Sequence, residues 1–419
     1  MRICSRPVWV IVLATMLCTA SSAFAQKRVY KFGSDKAEMY SRERGFGFEP
    51  NSQVICWPGT AKGNGNCNST SAFYFSAVVP EGNYRVTVRF GDPKVATSNV
   101  VKAELRRLML ERVDTKLGEF VTRSFIVNVR TPFISTGGEV KLKDREKTSE
   151  QWAWDEKLTL EFNGTKASIN RIEIEPVNVP TVFLLGDSTV CDQPGEPYAS
   201  WGQMITRFFD GKVAVANHAE SGESLRSSFG AKRLDKVVSQ IKRGDFLLIQ
   251  YGHNDMKEKG EGIGAFTSYK ASLKQFTAAA RAKGATVILI NPMHRRTFDT
   301  TGKFITNSHG DYPEAVRQAA SEEKVAFIDL HAKSKLLYEA FGKDGSGVLF
   351  KEGDGTHHNA FGAYQLAKII VQSIRDQRLP LAKYLVKDWK TFDPNRPDSA
   401  TAFSIPASPA VAHQKPLGN

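Results

Sequence analysis

The sequence predicts two folded parts, an all-β sandwich followed by an α/β domain whose parallel sheet is covered by helices on both faces. Before residue 177, short segments rich in β-branched and aromatic residues alternate with turn residues, which is typical of a β-sandwich. After Pro180, short apolar runs alternate with helix-length segments, which is typical of a parallel sheet. We expect four segments: a signal peptide at 1–25, the sandwich at 26–176, the α/β domain at 180–393, and a disordered tail rich in proline and alanine at 394–419.

The first 25 residues have the pattern of a secretory signal peptide. Arg2 and Arg6 precede an apolar run at residues 8–17, and Ala23 and Ala25 form a small-residue cleavage site. The apolar run is too short to span a bilayer. The sequence therefore predicts an exported protein, periplasmic or secreted, that is not held in a membrane after cleavage.

The charge balance favours an acidic partner. The chain has 57 Lys and Arg against 44 Asp and Glu among its 419 residues, a net charge of +13. This excess suits a polyanionic partner: nucleic acid, anionic lipid or a polyanionic glycan. No run of five or more Lys or Arg occurs, which argues against a nucleic-acid-binding arm. The sequence does not indicate an oligomeric state.

Three cysteines remain beyond the predicted cleavage site. Cys56 and Cys67 flank a Gly/Asn-rich loop and are either bridged, as an oxidising compartment allows, or two unpaired small residues. Cys191 is left over in either case. No spacing of Cys and His resembles a metal site, so we expect no metal.

The predicted sandwich contains several clear strand segments. They lie at residues 71–79, 84–90, 124–129, 158–162 and 168–174. Turn residues such as Asn163 and Gly164 separate them. Trp57, Trp152 and Trp154 are either platforms on which sugars stack or packing residues of the core and its edge. No catalytic group stands out in this part.

The α/β part has five predicted strands and four predicted helices. The strands lie at 181–186, 213–217, 246–252, 286–292 and 325–330, and the helices near 199–210, 233–242, 267–283 and 359–376. The first strand is apolar throughout residues 182–185, as expected for a strand buried on both faces of a parallel sheet. Ser188 follows this strand at its carboxyl end, where open α/β sheets hold ligands and chemistry.

Ser188 is either a nucleophile or a residue that caps a helix. A nucleophilic serine needs a histidine base, a group that orients the base, and donors to the developing oxyanion. Asp354 and His357 lie three residues apart, before the last predicted helix. At this spacing the carboxylate can accept from one ring nitrogen while the other faces the serine. The adjacent His358 is the competing base, with a less favourable spacing from Asp354.

Two further strand ends supply candidate donors. Gly222 follows the second strand, where its backbone N–H can point into the crevice. Asn254 follows the third strand, where its side-chain amide can donate. The alternatives are a turn glycine and an asparagine that forms an Asx turn. The joint occurrence of Ser, Gly, Asn and His at strand ends of one sheet favours a serine hydrolase.

The blocks GDST, ESGES, GHND and DGTH, in this order, resemble the four blocks of the SGNH (GDSL-type) hydrolase superfamily. With WGQM at 201–204, NPMHRR at 291–296 and HGDYP at 309–313, the chain is most similar to the rhamnogalacturonan acetylesterases over about residues 180–385. The resemblance implies a three-layer, flavodoxin-like fold for the α/β part. Residues 45–50, 80–92 and 106–111 resemble the galactose-binding-like sandwich that precedes many bacterial members, and imply no definite ligand site.

The resemblance also implies roles for the matching residues. The nucleophile, its base and the residue that orients the base would be Ser188, His357 and Asp354. The oxyanion hole would be formed by the backbone N–H groups of Ser188 and Gly222 and by the Asn254 side chain. Members of the family need no cofactor or metal.

The implied activity is removal of acetyl groups from rhamnogalacturonan, a pectic polysaccharide, by a secreted serine esterase. His294, Arg295 and Arg296 follow the fourth strand and are either contacts to galacturonate carboxylates or a solvated charged loop. Glu220 and Ser221 vary in the family, so their roles stay open. Two alternatives remain: an esterase of the same fold that acts on acetylated xylan or another glycan, and a non-catalytic glycan-binding protein.

Overall fold

The computed structural model describes residues 26–59, 65–409 and 416–417. The predicted signal peptide, at residues 1–25, lies outside this part of the chain, so export stays a prediction. In the part that is described, no helix is both long enough and apolar enough to cross a membrane.

The N-terminal part is built from antiparallel strands. They are β1 (Arg28–Lys31), β2 (Phe46–Phe48), β3 (Ile55–Trp57), β4 (Asn66–Ser69), β5 (Phe73–Val78), β6 (Gly82–Gly91), β7 (Thr97–Ala103), β8 (Arg107–Thr115), β9 (Phe120–Val129), β10 (Lys157–Asn163) and β11 (Ala167–Pro176). One sheet has the order β3-β4-β11-β6-β9, with β1 also paired to β11, and the other has the order β2-β5-β10-β7-β8. A short helix, α1 (Asp144–Lys147), lies between β9 and β10.

The strands of this part bury one face each, as an alternating sequence requires. In β6 the buried side chains are those of Tyr84, Val86, Val88 and Phe90, and the residues between them are more exposed. The buried faces of the two sheets share one hydrophobic core. The expectation of an antiparallel β-rich part before the α/β part is therefore confirmed.

The structure shows how the cysteines are paired and how the three tryptophans are packed. A disulfide bond joins Cys56 to Cys67 across the β3–β4 pair, and Cys191 is free and buried. Trp154 is buried beneath the guanidinium of Arg130, 4.5 Å from its ring centroid. Trp152 packs on Tyr74 with ring centroids 5.1 Å apart. Trp57 is 46% exposed, with the ammonium of Lys94 4.8 Å from its ring centroid.

The C-terminal part contains a parallel sheet with helices on both faces. Its strands are β12 (Thr181–Gly186), β13 (Ala214–Asn217), β14 (Phe246–Gln250), β15 (Thr286–Ile290) and β16 (Ala326–Ile328). The helices are α2 (Trp201–Met204), α3 (Leu225–Gly230), α4 (Arg233–Gln240), α5 (Lys270–Ala282), α6 (Tyr312–Glu323), α7 (Leu330–Gly345) and α8 (Ala360–Asp376). The strand order is β13-β12-β14-β15-β16. This is the flavodoxin-like order. In this fold the ligand-binding crevice lies at the carboxyl ends of the strands, next to the strand that comes first in the chain, which is β12 here.

The predicted fold class is confirmed, but α3, α6 and α7 were not predicted, and two further expectations differ from the structure. The helix expected near 199–210 is one α-helical turn, α2, followed by a 3₁₀ turn at Ile205–Phe208. The tail was expected to be disordered, but residues 394–409 are bonded to both parts of the fold. Asp398 accepts from Gln365 (2.9 Å) and Lys368 (2.6 Å) of α8, and residues 406–408 contact the sandwich. Lys102 donates to the carbonyl of Pro406 (2.9 Å) and to the hydroxyl of Ser408 (2.7 Å), which in turn donates to Glu161 (2.8 Å). Lys102 and Glu161 are buried, and burial of charged groups requires such polar partners.

The sandwich packs directly against the strands that lead to the candidate site. Val100 and Leu108 of the sandwich belong to the same buried core as β12. Arg107 donates to the carbonyl of Val215 in β13 (3.1 Å) and lies 3.4 Å from the carboxylate of Asp192. The two parts are therefore joined by apolar packing and by buried charge.

Candidate active site

Strand β12 delivers Ser188 to the carboxyl edge of the sheet. The strand ends at Gly186, where a Cβ atom would lie 2.6 Å from a carbonyl oxygen of β14, so a side chain does not fit. Asp187 then accepts hydrogen bonds from the backbone N–H (2.9 Å) and the hydroxyl (2.7 Å) of Thr189. The side chain of Gln193 donates to the carbonyl of Ser188 at 2.6 Å. The next helix begins at Trp201, so Ser188 caps no helix.

Ser188, His357 and Asp354 form a continuous hydrogen-bonded chain. The hydroxyl of Ser188 lies 2.9 Å from Nε2 of His357, and Nδ1 of His357 lies 2.9 Å from Oδ2 of Asp354. All three side chains are buried. This is the arrangement of nucleophile, base and orienting carboxylate that a serine hydrolase requires.

The carboxylate of Asp354 is held in its ionised form. Burial alone would raise its pKa, but hydrogen bonds from the His357 ring and from the backbone N–H groups of His357 and Thr356 outweigh this effect. The pKa of Asp354 therefore lies well below its usual range. An ionised carboxylate only accepts, so Nδ1 of His357 carries a proton and Nε2 presents its lone pair to Ser188 in the neutral ring.

The neighbouring histidine does not compete for this role. The ring of His358 is buried between Phe350 and Tyr338, and its Nε2 lies 2.8 Å from the Tyr338 hydroxyl. Burial lowers its pKa to about 3. His358 therefore belongs to the core below α8.

Gly222 and Asn254 lie in two loops that are bonded to each other. Gly222 follows β13 with φ +77°, a conformation that favours glycine. Asn254 follows β14, and its side-chain amide donates to the carbonyl of Glu223 at 2.9 Å. This bond connects residues far apart in sequence, whereas an Asx turn would bond locally. The second amide hydrogen of Asn254 is left for another acceptor.

Comparison with known proteins agrees with this geometry. Residues 184–364 match the GDSL-like Lipase/Acylhydrolase family. The chain is 40% identical over 220 residues to the rhamnogalacturonan acetylesterase RhgT of Bacillus subtilis (strain 168), which covers 49% of this chain and 94% of that protein. The chain belongs to the GDSL-like lipase/acylhydrolase family. It is a carboxylic ester hydrolase.

Two further relatives come from the same bacterium. The probable rhamnogalacturonan acetylesterase YesY is 34% identical over 214 residues, covering 49% of this chain and 98% of that protein. The uncharacterized esterase YxiM is 26% identical over 398 residues, covering 88% of this chain and 97% of that protein. The crystal structure of YxiM is similar over 85% of this chain and 99% of that chain, with a TM-score of 0.48 and 25% identity.

The three expected substrate contacts of this GDSL-like hydrolase occupy different environments. His294 is 3% exposed and stacks on His331 with ring centroids 3.5 Å apart, so the expectation of a substrate contact there is wrong. Arg296 turns away from the triad, towards Ser346, to which its Nε donates at 2.9 Å. Arg295 lies beside the triad loop and is only partly buried. Its guanidinium donates to the hydroxyl of Thr356 (3.3 Å).

His294 is part of a group of four neighbouring histidines that includes His253 of the GHND segment. His253, His294 and His309 are buried, and His331 is half-buried. Nε2 of His309 lies 3.0 Å from Nδ1 of His253, and His331 links His309 to His294 through ring contacts. Burial is the largest cause that lowers the pKa of all four; it brings that of His309 to about 2 and that of His294 to about 3. The rings are therefore neutral at physiological pH.

Sequence reasoning missed the residues that hold the Gly222 loop (residues 220–223). The carboxylate of Glu223 lies 3.2 Å from the ammonium of Lys143 and 3.4 Å from Nε of Arg233. Glu220 is fully buried, and burial followed by repulsion from Glu150 raises its pKa well above the usual range. Glu223 is visible in the ESGES block, but no sequence signal connects that block to Lys143. In the part of the chain that is described, no group of three or more His, Cys, Asp or Glu is arranged to hold a metal ion.

Proposed function

We propose that this hydrolase is a carbohydrate esterase that removes acetyl groups from pectic rhamnogalacturonan by a Ser-His-Asp mechanism. The observation that carries the proposal is the chain of two 2.9 Å contacts from Ser188 through His357 to Asp354, at the edge of a sheet whose sequence matches the family. The substrate class is supported by the 40% identity to RhgT and the 34% identity to YesY, both named as acetylesterases of rhamnogalacturonan.

In the proposed acylation step, Nε2 of His357 takes the proton from the Ser188 hydroxyl as its oxygen attacks the acetyl carbonyl. The electron pair of the carbonyl moves onto its oxygen, which accepts hydrogen bonds from the backbone N–H groups of Ser188 and Gly222 and from the Asn254 amide. The bond to the sugar oxygen then breaks. The sugar hydroxyl leaves with the proton from His357, and the acetyl group remains on Ser188.

Deacylation follows the same route with water in place of the sugar. His357 takes a proton from the water as its oxygen attacks the acetyl-serine carbonyl. The tetrahedral oxyanion meets the same three donors, and its collapse releases acetate. Ser188 recovers its proton from His357. Throughout both steps Asp354 keeps the proton of Nδ1 in place and stabilises the charged ring.

Arg295 is the side chain of the predicted set that we propose as a contact to a galacturonate carboxylate. Its described hydrogen-bond partners are neutral: the Thr356 hydroxyl, the His253 carbonyl and the Met256 sulfur. The carboxylate of Asp187 attracts the guanidinium through space, but all the described hydrogen bonds of Arg295 go to neutral groups, so it can still pair with an anionic ligand. The net charge of +13 supports the same class of polymer through long-range attraction. We also propose that the enzyme is exported, on the pattern of residues 1–25.

The decisive test measures acetate release from acetylated rhamnogalacturonan, homogalacturonan and xylan by the parent enzyme and by Ser188→Ala. We expect the pectic polymer to have the highest kcat/KM, and Ser188→Ala to lose several orders of magnitude on every substrate, on the order of 10⁶ at most. A folded Ser188→Ala protein with parental activity contradicts the serine mechanism. Equal kcat/KM on xylan and on the pectic polymers contradicts the substrate class.

The contact at Arg295 is tested separately. Arg295→Met should raise KM on the acidic polymer and leave p-nitrophenyl acetate hydrolysis near the parental rate. Arg317→Met is the control, because Arg317 is exposed on α6 and paired with Glu314. A similar loss on both substrates would show that Arg295 supports the triad loop rather than the carboxylate of the polymer.

A further inference from the structure

We propose that Lys143, which belongs to the N-terminal part, is a positioning residue that aims the backbone N–H of Gly222 at the oxyanion. This inference rests on the proposed function, since it assigns a role to a residue outside the α/β part in the same reaction. It makes the N-terminal part a component of the catalytic apparatus and not only a neighbour of it.

The first step of the argument is the bond that Lys143 makes. Its ammonium donates to the backbone carbonyl of Ser221 at 2.5 Å. The carbonyl of Ser221 and the N–H of Gly222 are the two ends of one peptide unit. A trans peptide is planar, and its C=O and N–H point in opposite directions. A donor that fixes the direction of the Ser221 carbonyl therefore fixes the direction of the Gly222 N–H.

The second step is that glycine leaves this peptide unit free to rotate. Gly222 has φ +77° and no side chain to restrict its backbone, so local sterics alone do not select one orientation. The backbone N–H of Glu223 donates to the carbonyl of Glu220 at 3.2 Å and so closes a turn around Ser221 and Gly222. This bond is compatible with either orientation of the peptide unit between those two residues, so a donor from outside the turn is needed to select one. The positive charge of Lys143 also polarises the peptide unit and so strengthens Gly222 as a donor.

The third step is that Lys143 holds the next residue as well. Its ammonium lies 3.2 Å from the carboxylate of Glu223, whose carbonyl accepts from the Asn254 amide at 2.9 Å. Arg233 is fully buried and bridges Glu223 (3.4 Å) to Glu146 of α1 (2.8 Å). Both proposed oxyanion donors that lie outside the nucleophile loop are thus attached to one network anchored at α1.

The fourth step is that the anchor is itself rigid. The backbone N–H of Lys143 donates to the carboxylate of Glu146 at 2.8 Å, and that carboxylate is paired bidentately with Arg233. Arg145, also in α1, is buried and bonded to Glu150 at 2.5 Å. Hydrogen bonds of charged groups at buried positions are short and strong, so α1 cannot shift without breaking several of them.

The test replaces Lys143 by methionine, whose unbranched side chain is one atom shorter and has neither the donor nor the charge. On p-nitrophenyl acetate we expect kcat to fall about 10- to 100-fold, less than the 10²–10³ of a deleted oxyanion donor, with KM within about twofold of the parent. The loss should be smaller on the thionoacetate ester, because sulfur accepts hydrogen bonds more weakly and gains less from the Gly222 N–H. A defect in folding would lower both rates equally.

The matched control is Lys147→Met, at the other end of α1. Lys147 is 59% exposed at its side chain and pairs only across solvent with Asp144, so its removal should leave kcat at the parental value. If Lys143→Met does not fold, Lys143→Cys is purified and then alkylated with bromoethylamine, which rebuilds an ammonium of nearly the same length. Recovery of kcat on alkylation supports the proposal, and Cys191 is buried away from the reagent.

The two proposals fail in different ways. If Ser188→Ala is inactive but Lys143→Met turns over like the parent, the role of Lys143 is wrong and the proposed mechanism stands. If Ser188→Ala keeps its activity, the proposed mechanism itself is wrong. An equal loss on the oxygen and sulfur esters, or no recovery on alkylation, also overturns the positioning role.

Discussion

Replacing Asp354 by asparagine exchanges one carboxylate oxygen for an NH₂ group and keeps the shape of the side chain. In the native side chain, Oδ1 accepts from the backbone N–H groups of Thr356 (2.8 Å) and His357 (3.0 Å), and Oδ2 faces Nδ1 of His357. The two backbone donors require an oxygen at the first position. The asparagine NH₂ group must therefore take the second position, where it donates instead of accepting.

The magnitude follows from the tautomer that this donor selects. A donor opposite Nδ1 favours the ring form with its lone pair at Nδ1 and its proton at Nε2. Nε2–H then faces the hydroxyl of Ser188, 2.9 Å away, and cannot take its proton. A triad with the wrong tautomer loses about 10⁴ in kcat, which is about 5.4 kcal/mol of transition-state stabilisation at 1.36 kcal/mol for each factor of ten.

The assay is the initial rate on p-nitrophenyl acetate together with the urea midpoint of unfolding. Asp354→Asn should be about 10⁴-fold slower with a midpoint close to the parent, because both backbone bonds are kept. Asp354→Ala is the comparison: it removes those two acceptors and should lose stability as well, about 1–3 kcal/mol. An Asn variant within tenfold of the parental kcat would refute the reasoning.

Three further changes test other parts of the molecule. Asn254→Ala should lower kcat by about 10²–10³ with little change in KM, whereas a purely structural residue would cost stability and keep kcat. The native His294 ring stays neutral to about pH 3, whereas the ring in the unfolded chain takes a proton near pH 6.5. The contribution of His294 to the free energy of unfolding therefore falls as the pH falls. The destabilisation caused by His294→Phe, measured in urea, should therefore shrink by about 1.4 kcal/mol between pH 7.5 and 5.5; a constant difference would contradict a neutral buried ring. Replacing Cys56 and Cys67 by serine should cost about 3 kcal/mol of unfolding free energy and leave kcat unchanged, since the bridge closes a short loop between β3 and β4, outside the α/β part that carries Ser188.

The parallel strands could be predicted from the sequence because both of their faces are buried. All six residues of β12 are buried, and such strands read as continuous apolar runs that turn residues interrupt. The sandwich was harder. In β4, whose sequence is NCNS, Cys67 joins the apolar core but Asn66 bonds to Asp92, and in β7 Asn99 and Lys102 also bond to polar partners. Polar residues buried in strands give no alternation to recognise.

The tail shows the same limit of composition. Proline and alanine at residues 394–409 are typical of a segment without a core. The segment packs because Lys102 and Glu161, a buried ion pair on the adjacent inner strands β7 and β10, need further polar partners, and its backbone and Ser408 supply them. The residues that require this contact lie more than 200 positions earlier in the chain. The composition of the tail therefore could not predict it.

The candidate site likewise has features that the local sequence predicts and one that it does not. The triad was predictable because each member lies in a local pattern: a serine just past a strand, and an aspartate three residues before a histidine. The direction of the Gly222 N–H is not a property of any local pattern, because the peptide unit before a glycine can rotate. We propose that it is fixed by Lys143, which lies 78 residues before Ser221, at the start of a four-residue helix in another part of the fold. The ESGES block can thus identify a candidate donor, but the direction of that donor depends on the packing of the two parts. The Lys143 variants measure how much of the catalysis depends on that packing.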